Sequence, residues 1–277
     1  MLLSRNYAPS TDLAPYIRRH YVFEAHLPEG FELIDKLMSE TAFIRVLLKG
    51  DWAAEIKPGA WMSFGAAPLM GANGVPMNVR VRGPFHVVGI ALRPCGWRGL
   101  FDCPASDFAD GAAALGDVWG SLADDLVQDV KAAGNDAQIV AAIEKTVRAR
   151  LAGRKLRVPD EAMARFEDIA RNDCTMPVAD IAQMLRISTR QFERICRATF
   201  GHGPKVVLRR SRFLETSQAM RGFGSPSTEQ LSALHYFDQS HLNREFRHFF
   251  GMTPGMFERA QTPLFTAGLK LRADGLD

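Results

Sequence analysis

The sequence predicts an α+β fold in two domains. The first is a small β-barrel with helices, and the second is an all-α domain of two tandem helix-turn-helix units joined by a long helix. Short strand-like segments separated by Gly and Pro fill much of residues 41–92, which indicates a barrel or sandwich. A helical segment near residue 240 is repeated fifty positions earlier. The 277 residues also suffice for two hydrophobic cores.

The first domain is expected to consist of short strands. Thr41–Lys49 is apolar and rich in β-branched residues, and Gly50 is expected to turn the chain into a second strand at Trp52–Ile56. Met77–Arg82 alternates between apolar and polar residues, as a half-buried strand does. Phe85–Leu92 is almost continuously apolar. We therefore predict separate strands joined by tight turns.

Two amphipathic helices are predicted after the strands. Their apolar stripes, with residues spaced by four, are Val118, Leu122, Leu126 and Val130, and then Ile139, Ile143, Val147 and Leu151. These stripes fit either the pairing of two chains or packing on the barrel. The polar stretch 148–157 is the predicted linker. The expected divisions are a first domain at 1–153, a helix-turn-helix domain at 154–262 and a tail at 263–277.

The repeated segment is an amphipathic helix predicted from Gln239 to about Phe250. One face carries apolar residues at i, i+4 and i+7, and the opposite face carries short polar side chains and cations. Asp238 occupies the N-cap position, and Gly251 ends the helix. A short helix with one apolar and one hydrogen-bonding face suits the major groove of DNA.

The earlier copy has similar residue types at matching positions. The matched pairs are Phe192 with Leu242, Arg194 with Arg244, Cys196 with Phe246, and Arg197 with Arg247. Ser188 is the predicted N-cap of this copy. Another helix precedes each copy, at Val178–Leu185 and Glu229–Leu234, so each half reads as a helix-turn-helix unit. A longer helix at Lys205–Met220 is predicted to join them.

The charge distribution separates the two halves of the chain. Residues 1–153 contain 15 Lys and Arg against 17 Asp and Glu, whereas residues 154–277 contain 19 against 14. The basic excess therefore lies with the repeated helices, as binding to nucleic acid requires.

Four segments carry a family resemblance. RISTRQFERICRATFGHGPKVVLRRSRF and FDQSHLNREFRHFFGMTPGMFER resemble the double helix-turn-helix of AraC/XylS-type transcription regulators. The chain departs from the family at the turns, where many members have Gly and this chain has Arg186 and His235-Tyr236. RNYAPSTDLAPYIRRHYVFE and VVGIALRPCGWRGLFDCP are similar to the β-rich sensor domain of one branch of these regulators.

The resemblance implies a cupin-like first domain, which senses a small-molecule effector or pairs two chains, and a second domain that reads double-stranded promoter DNA. Because family members often pair, it slightly favours a homodimer contact for the two amphipathic helices. RNA polymerase is an implied partner if the protein activates transcription. The implied protein is a regulator and not an enzyme, and it needs no cofactor.

The DNA-contacting residues are assigned from side-chain chemistry and position on the two recognition helices. Arg suits guanine, Asn or Gln suits adenine, and Glu accepts from cytosine, whereas cations farther along a helix contact phosphate. The predicted base-reading residues are Arg190, Glu193, Arg194, Gln239, Ser240, Asn243 and Arg244. The predicted phosphate contacts are Ser188, Arg197, Lys205, Arg209 and Arg247. For the basic cluster at 205–212, a solvated face with an internal salt bridge is the alternative.

Sites in the first half are less specific. The aromatic residues that either line an effector pocket or fill the core are Trp52, Trp61, Phe64, Phe85 and Trp97. His20, His26 and His86 lack the carboxylate pattern of a metal site, so no metal is predicted. No GxSxG, phosphate loop or HExxH is present.

The predicted function is therefore sequence-specific regulation of transcription, controlled by a small molecule. The alternatives are a β-barrel metalloenzyme with an appended DNA-binding module and a ligand-independent DNA-binding protein. The segment MLLSRNYAPSTD lacks the apolar core of a signal peptide, and no apolar run is long enough to span a membrane. A cytoplasmic protein is expected.

Overall fold

The computed structural model describes residues 2–153, 159–223 and 239–274. These residues form an antiparallel sheet with helices, followed by a helical domain, which confirms the predicted two-domain class. The strands are β1 (Leu2–Tyr7), β2 (Ile17–Ala25), β3 (Glu32–Leu37), β4 (Phe43–Lys57), β5 (Ala60–Met62), β6 (Pro68–Met70), β7 (Met77–Leu92) and β8 (Ala112–Ala114).

The helices of the first domain are α1 (Trp97–Leu100), α2 (Gly116–Trp119), α3 (Ser121–Ala132) and α4 (Asp136–Ala152). Those that follow are α5 (Glu161–Asn172), α6 (Val178–Met184), α7 (Thr189–Phe200), α8 (Pro204–Met220), α9 (Gln239–Phe250), α10 (Pro254–Arg259) and α11 (Pro263–Ala273). Among the described residues, none of the helices is both long and apolar enough to cross a lipid bilayer.

All eight strands belong to one antiparallel sheet. Its order is β1-β2-β7-β4-β6-β8, with β3 added to β7 and β5 added to β4. The long strands β4 and β7 are its centre and pair over most of their length. Within the described ranges, these pairings form an open path and no closed ring. The antiparallel β domain is confirmed, and its cupin-like form stays a prediction.

Gly50 bends strand β4 and does not end it, so the turn predicted at this residue is wrong. Its φ of +85° favours glycine, and register shifts on both sides of Lys49 mark bulges. A β-carbon at Gly50 would lie 2.5 Å from the Pro84 carbonyl oxygen of β7. The bend therefore allows β4 to stay paired with β7. Strand β7 is continuous and includes both predicted strands, Met77–Arg82 and Phe85–Leu92.

One face of the sheet packs against α3 and α4. Its apolar residues, among them Ile44, Val88 and Ile90, form a continuous core with Leu126 of α3 and Ile143 of α4. Packing on the sheet already removes the apolar stripes of these helices from water. The stripes therefore pack on the sheet of their own chain, which is one of the two predicted alternatives, and the homodimer contact stays a prediction.

The described residues of the helical domain form two smaller cores, one for each half of the repeat. Phe166 of α5 and Phe192 of α7 belong to the first core. Phe213 of α8 and Phe246 of α9 belong to the second. Helix α8 contributes residues to both cores, as expected for the helix that joins the two units.

The first helix-turn-helix unit consists of α6 and α7, as predicted. The Ser188 hydroxyl accepts a hydrogen bond from the Gln191 backbone amide at 3.2 Å and so caps α7. Arg186 occupies the turn at a φ of +56°, a conformation that favours glycine. The turn thus has a left-handed residue at the position where Gly is common in the regulators that this segment resembles.

Part of the second unit lies outside the described residues. This part includes the predicted helix Glu229–Leu234, the turn at His235-Tyr236 and the N-cap at Asp238. The recognition helix α9 is described, and it spans Gln239–Phe250 as predicted.

The predicted linker at 148–157 begins too early. Helix α4 continues to Ala152, and its Arg148 side chain forms an ion pair with Asp12 at 2.8 Å. Residues 154–158 lie outside the described ranges. The polar residues before Gly153 thus belong to a face of α4 that forms an ion pair within the first domain.

Candidate nucleic-acid interface and candidate ligand cavity

Helix α7 has one buried and one exposed face. Phe192 and Cys196 are buried, and the Phe192 ring lies 4.7 Å from the Phe166 ring in an edge-to-face arrangement. Arg190 and Arg194 are exposed on the other side of the helix. The polar face predicted for the first recognition helix is therefore open to a partner.

Glu193 has partners within its own domain. Its carboxylate accepts from the Arg197 guanidinium at 2.8 Å. It also lies over Gly203, the residue before α8, so closely that a β-carbon there would overlap it. A carboxylate at this place interacts favourably with the positive end of α8. The base contact predicted for Glu193 would compete with both interactions.

Helix α9 repeats the division seen in α7. Phe246, Phe249 and Phe250 are buried around Phe213, whose ring lies 5.0 Å from the Phe246 ring. The exposed residues of α9 include Gln239, Ser240, Arg244 and Arg247, and Asn243 is half-buried. The apolar stripe read from the sequence is thus the docking face of the second recognition helix.

Helix α8 separates the members of the predicted basic cluster. Lys205 is exposed, Arg210 is fully buried and Arg212 is half-buried. Arg209 donates to the Glu245 carboxylate of α9 through Nε at 3.1 Å and Nη2 at 2.7 Å. This pairing competes with the phosphate contact predicted for Arg209, because a move to DNA would take its partner from the buried Glu245.

The first domain contacts both units at the carboxyl ends of their recognition helices. His202 follows α7, and its Nε2 lies 2.9 Å from the Asp110 carboxylate. Phe250 ends α9, and the Lys36 ammonium lies 5.9 Å from its ring centroid. The amino-terminal turns of α7 and α9 carry the exposed polar residues, and within the described ranges the first domain does not cover them.

The middle of α8 is also bound to the first domain. The buried Arg210 donates to the backbone carbonyls of Asn73 at 2.7 Å and Glu40 at 2.5 Å. The Glu40 carboxylate pairs with Arg272 of α11 and accepts from the Ser211 hydroxyl at 3.2 Å. Burial favours the neutral acid, but nearby guanidinium groups, first that of Arg272, outweigh it and lower the pKa of Glu40 to about 2.

A cavity of about 150 Å³ lies between the second face of the sheet and the helical domain. Its sheet wall is mainly apolar and includes Tyr21, Phe43, Trp52, Val79, Val81 and Phe85. Its opposite wall includes Leu264, Phe265, Gly268 and Leu271 of α11. The segment Leu37–Thr41, which contains Glu40, completes the lining. The same segment thus contacts the cavity and holds α8 and α11.

Two of the five predicted pocket aromatics, Trp52 and Phe85, line this cavity. Trp97 lies in α1 and is buried in the core on the other face of the sheet. Trp61 and Phe64 lie outside the lining, and the Phe64 ring packs 6.5 Å from the Trp52 ring. These three residues do not line this cavity, and Trp97 lies on the opposite face of the sheet, which aromatic content alone does not show.

Helix α11 lies within the segment predicted as a tail. Asp35 of β3 fixes its start: the carboxylate accepts from the backbone amides of Leu264 at 2.7 Å and Phe265 at 3.3 Å. These amides are among those that a helix leaves unpaired at its start. Pro263 in the first turn is a signal from which this helix could have been predicted.

The remaining buried titratable groups in the first domain and α5–α8 are structural. His20 lies 3.2 Å from the Glu144 carboxylate of α4, and burial lowers its pKa. Burial raises the pKa of the Cys95 thiol to about 11 and that of Cys174 to about 12, so both stay protonated at neutral pH. In the part of the chain that the structure describes, no three His, Cys, Asp or Glu side chains are grouped to hold a metal ion.

Two protein families match parts of the chain. Residues 181–260 match a family described as a helix-turn-helix domain (HTH_18). Residues 5–113 match a family described as a domain of unknown function (DUF6597). No curated protein matches the sequence.

Several solved structures are similar at low sequence identity. ToxT from Vibrio cholerae strain SCE256, bound to an unsaturated fatty acid, has a TM-score of 0.47 and 11% identity, with 95% of this chain and 96% of that chain covered. ToxT from Vibrio cholerae in a P21 crystal form has a TM-score of 0.46 and 11% identity, with coverage of 93% and 98%. The AraC-like transcriptional activator CuxR has a TM-score of 0.24 and 14% identity, with coverage of 78% and 86%.

Proposed function

We propose that this protein is a sequence-specific DNA-binding transcription regulator, controlled by a small molecule in its first domain. Its residues 181–260 carry an AraC-type helix-turn-helix domain. The observation that carries the proposal is the pair of recognition helices. Each buries an apolar stripe in its own core and exposes a polar first turn, and both cores share α8. Such helices enter adjacent major grooves about 10 base pairs apart.

The exposed side chains have roles that follow from their place on each helix. The proposed base-reading residues are Arg190 and Arg194 of α7 with Gln239, Ser240, Asn243 and Arg244 of α9. The proposed phosphate contacts are Ser188, Arg197, Lys205 and Arg247. Glu193 acts indirectly, by holding Arg197. Because the two helices expose different residues, the operator has two unlike halves and a direction.

Arg244→Ala is expected to weaken binding to the best operator by about 1–3 kcal/mol and to relax selection at one base pair. Arg244 is exposed on the polar face of α9, where a bidentate contact to guanine would be lost. Selection of binding sites from random DNA measures both effects. Arg259→Ala, an exposed arginine on α10, is the matched control. Unchanged base selection by the Arg244 variant would contradict its role as a reader.

Arg247→Ala is expected to weaken binding to all sequences about equally and to reduce the salt slope by about one. Arg247 is exposed one turn beyond the reading residues, where a helix meets the DNA backbone. Titrations at several salt concentrations, on specific and unrelated duplexes, test this. A loss confined to one base pair would reassign Arg247 to base readout.

The shared segment Leu37–Thr41 supports the proposed control by a small molecule. A ligand in the cavity contacts this segment directly, and Glu40 of the segment holds α8 and α11. The ligand would shift the population of arrangements that suit DNA, without any chemical reaction. The overall test is genome-wide mapping of bound DNA, followed by footprinting of the enriched sites. A footprint of two unlike halves on the order of 20 base pairs is expected; the absence of enriched sites would refute the proposal.

A further inference from the structure

The cavity contains a cation that has no ion-pair partner among the residues that the structure describes. Arg45 of β4 lines it, and its Nε–H is buried and donates to no hydrogen-bond partner among the described residues. The guanidinium lies between two rings, 5.0 Å from the Phe43 centroid and 5.4 Å from the Trp52 centroid. No ion pair or hydrogen bond joins it to another residue that the structure describes. Ring contacts leave the in-plane N–H donors unused, so these donors can bind an anion.

The other charged groups of the lining already have partners. Arg19 donates to the Asn6 side chain at 2.7 Å, and Arg272 pairs with Glu40. The lining therefore holds three arginines against one glutamate, which is itself paired. Arg45 is half-buried and its Nε is fully buried. A cation partly withdrawn from water without a counter-ion favours a negatively charged ligand beside it.

The walls around Arg45 limit the rest of the ligand. They are mainly aliphatic and aromatic, with Trp52, Val79, Val81 and Phe85 from the sheet and Leu264 and Phe265 from α11. A volume of about 150 Å³ is the size of an engineered cavity that holds benzene. The body of the ligand should therefore be apolar and about as large as one aromatic ring or a short alkyl chain.

We propose that the cavity binds a small monocarboxylate with an apolar body, whose carboxylate pairs with Arg45 and whose body lies between the sheet and α11. Planar carboxylate matches the guanidinium in a two-point contact. A phosphate ester carries more charge, which one unpaired arginine in an apolar cavity would not balance. The role of this ligand as effector rests on the proposed function, whereas its binding does not.

The test is calorimetric titration of the full chain with benzoate and hexanoate, each compared with its neutral amide, and with phenyl phosphate. At least one carboxylate is expected to bind, and its amide to bind at least about tenfold more weakly. Arg45→Gln should weaken carboxylate binding about 10- to 100-fold. Arg82→Gln, on the same sheet but paired with Glu32 outside the cavity, should leave it unchanged. Arg45→Lys keeps the positive charge but loses the planar pair of N–H donors, so it should give an intermediate loss. It replaces the glutamine variant in the test if that variant does not fold.

Several outcomes would overturn the proposal. These are equal binding of acid and amide, tighter binding of phenyl phosphate, full affinity in both Arg45 variants, or no binding of either carboxylate to the unaltered chain. The titrations contain no DNA, so carboxylate binding by a protein that selects no DNA sequence would refute only the proposed function. Sequence-selective DNA binding by a chain that binds neither carboxylate would refute only the ligand.

Discussion

Glu40→Gln is expected to lower the free energy that holds α11 and the middle of α8 on the first domain by about 3–5 kcal/mol. The Glu40 side chain is only 14% exposed and pairs with Arg272, which is 6% exposed. Glutamine keeps the shape but removes the negative charge that pairs with the buried Arg272. Loss of one member of such a pair costs more than the pair contributes, because the remaining charge stays out of water.

The ionised state of Glu40 makes this prediction independent of pH over the usual range. The surrounding guanidinium groups outweigh the effect of burial and lower its pKa to about 2 in the folded chain, from an ordinary value of 4.5. A lowered acid pKa stabilises the fold above the ordinary value, and the contribution is lost as the pH falls through about 2. Unaltered protein and variant should therefore differ by the same amount at pH 6 and pH 8.

Hydrogen exchange of backbone amides measures the effect locally. Exchange in α11 and the middle of α8 should accelerate in the variant, while α3 and α4, which pack on the other face of the sheet, should stay protected. Glu32→Gln is the matched control, since Glu32 is 34% exposed and pairs with Arg82 at the surface. Exposed pairs contribute only about 0–1 kcal/mol. Equal changes in α3 and α11 would show a general loss of stability and contradict a local role for Glu40.

The sequence was sufficient for the recognition helices, because their signals are local. The apolar spacing of Phe246 and Phe249 and the N-cap at Ser188 depend on neighbouring residues only, and the repeat shows that the same local pattern occurs twice. The structure places these side chains in the predicted cores and at the predicted helix start. The exposed faces of α7 and α9 follow, since the buried stripe decides which side of a helix remains open.

Partners distant in the sequence decided the residues that could not be predicted. Arg209 belongs to a basic cluster, but Glu245, 36 residues later, binds it. Gly50 has the sequence signal of a turn, but it lies within a strand that packs closely against β7. Arg45 is one of many arginines in the sequence, and only the fold shows that it lines a cavity without a counter-ion. In each case the sequence shows the chemistry of the side chain but does not show which distant residue lies next to it.

Phe213→Ala is expected to destabilise the second core of the helical domain by about 3–5 kcal/mol. The Phe213 ring packs against the rings of Phe246 at 5.0 Å, Phe249 at 5.4 Å and Phe265 at 6.3 Å. Two of these rings anchor α9, and the third belongs to α11. Truncation to alanine leaves a void between α8, α9 and α11. Closely packed rings do not rearrange easily to fill such a void.

The consequence for DNA binding should be confined to one half of the operator. If each core supports its own recognition helix, Phe213→Ala removes the footprint of α9 and leaves that of α7. Phe166→Ala is the matched control, because Phe166 packs on Phe192 at 4.7 Å and on Phe200 at 5.1 Å in the first core. It should remove the opposite half. Hydroxyl-radical footprinting on one operator distinguishes the two patterns, and loss of both halves in both variants would mean that α8 transmits the damage between cores.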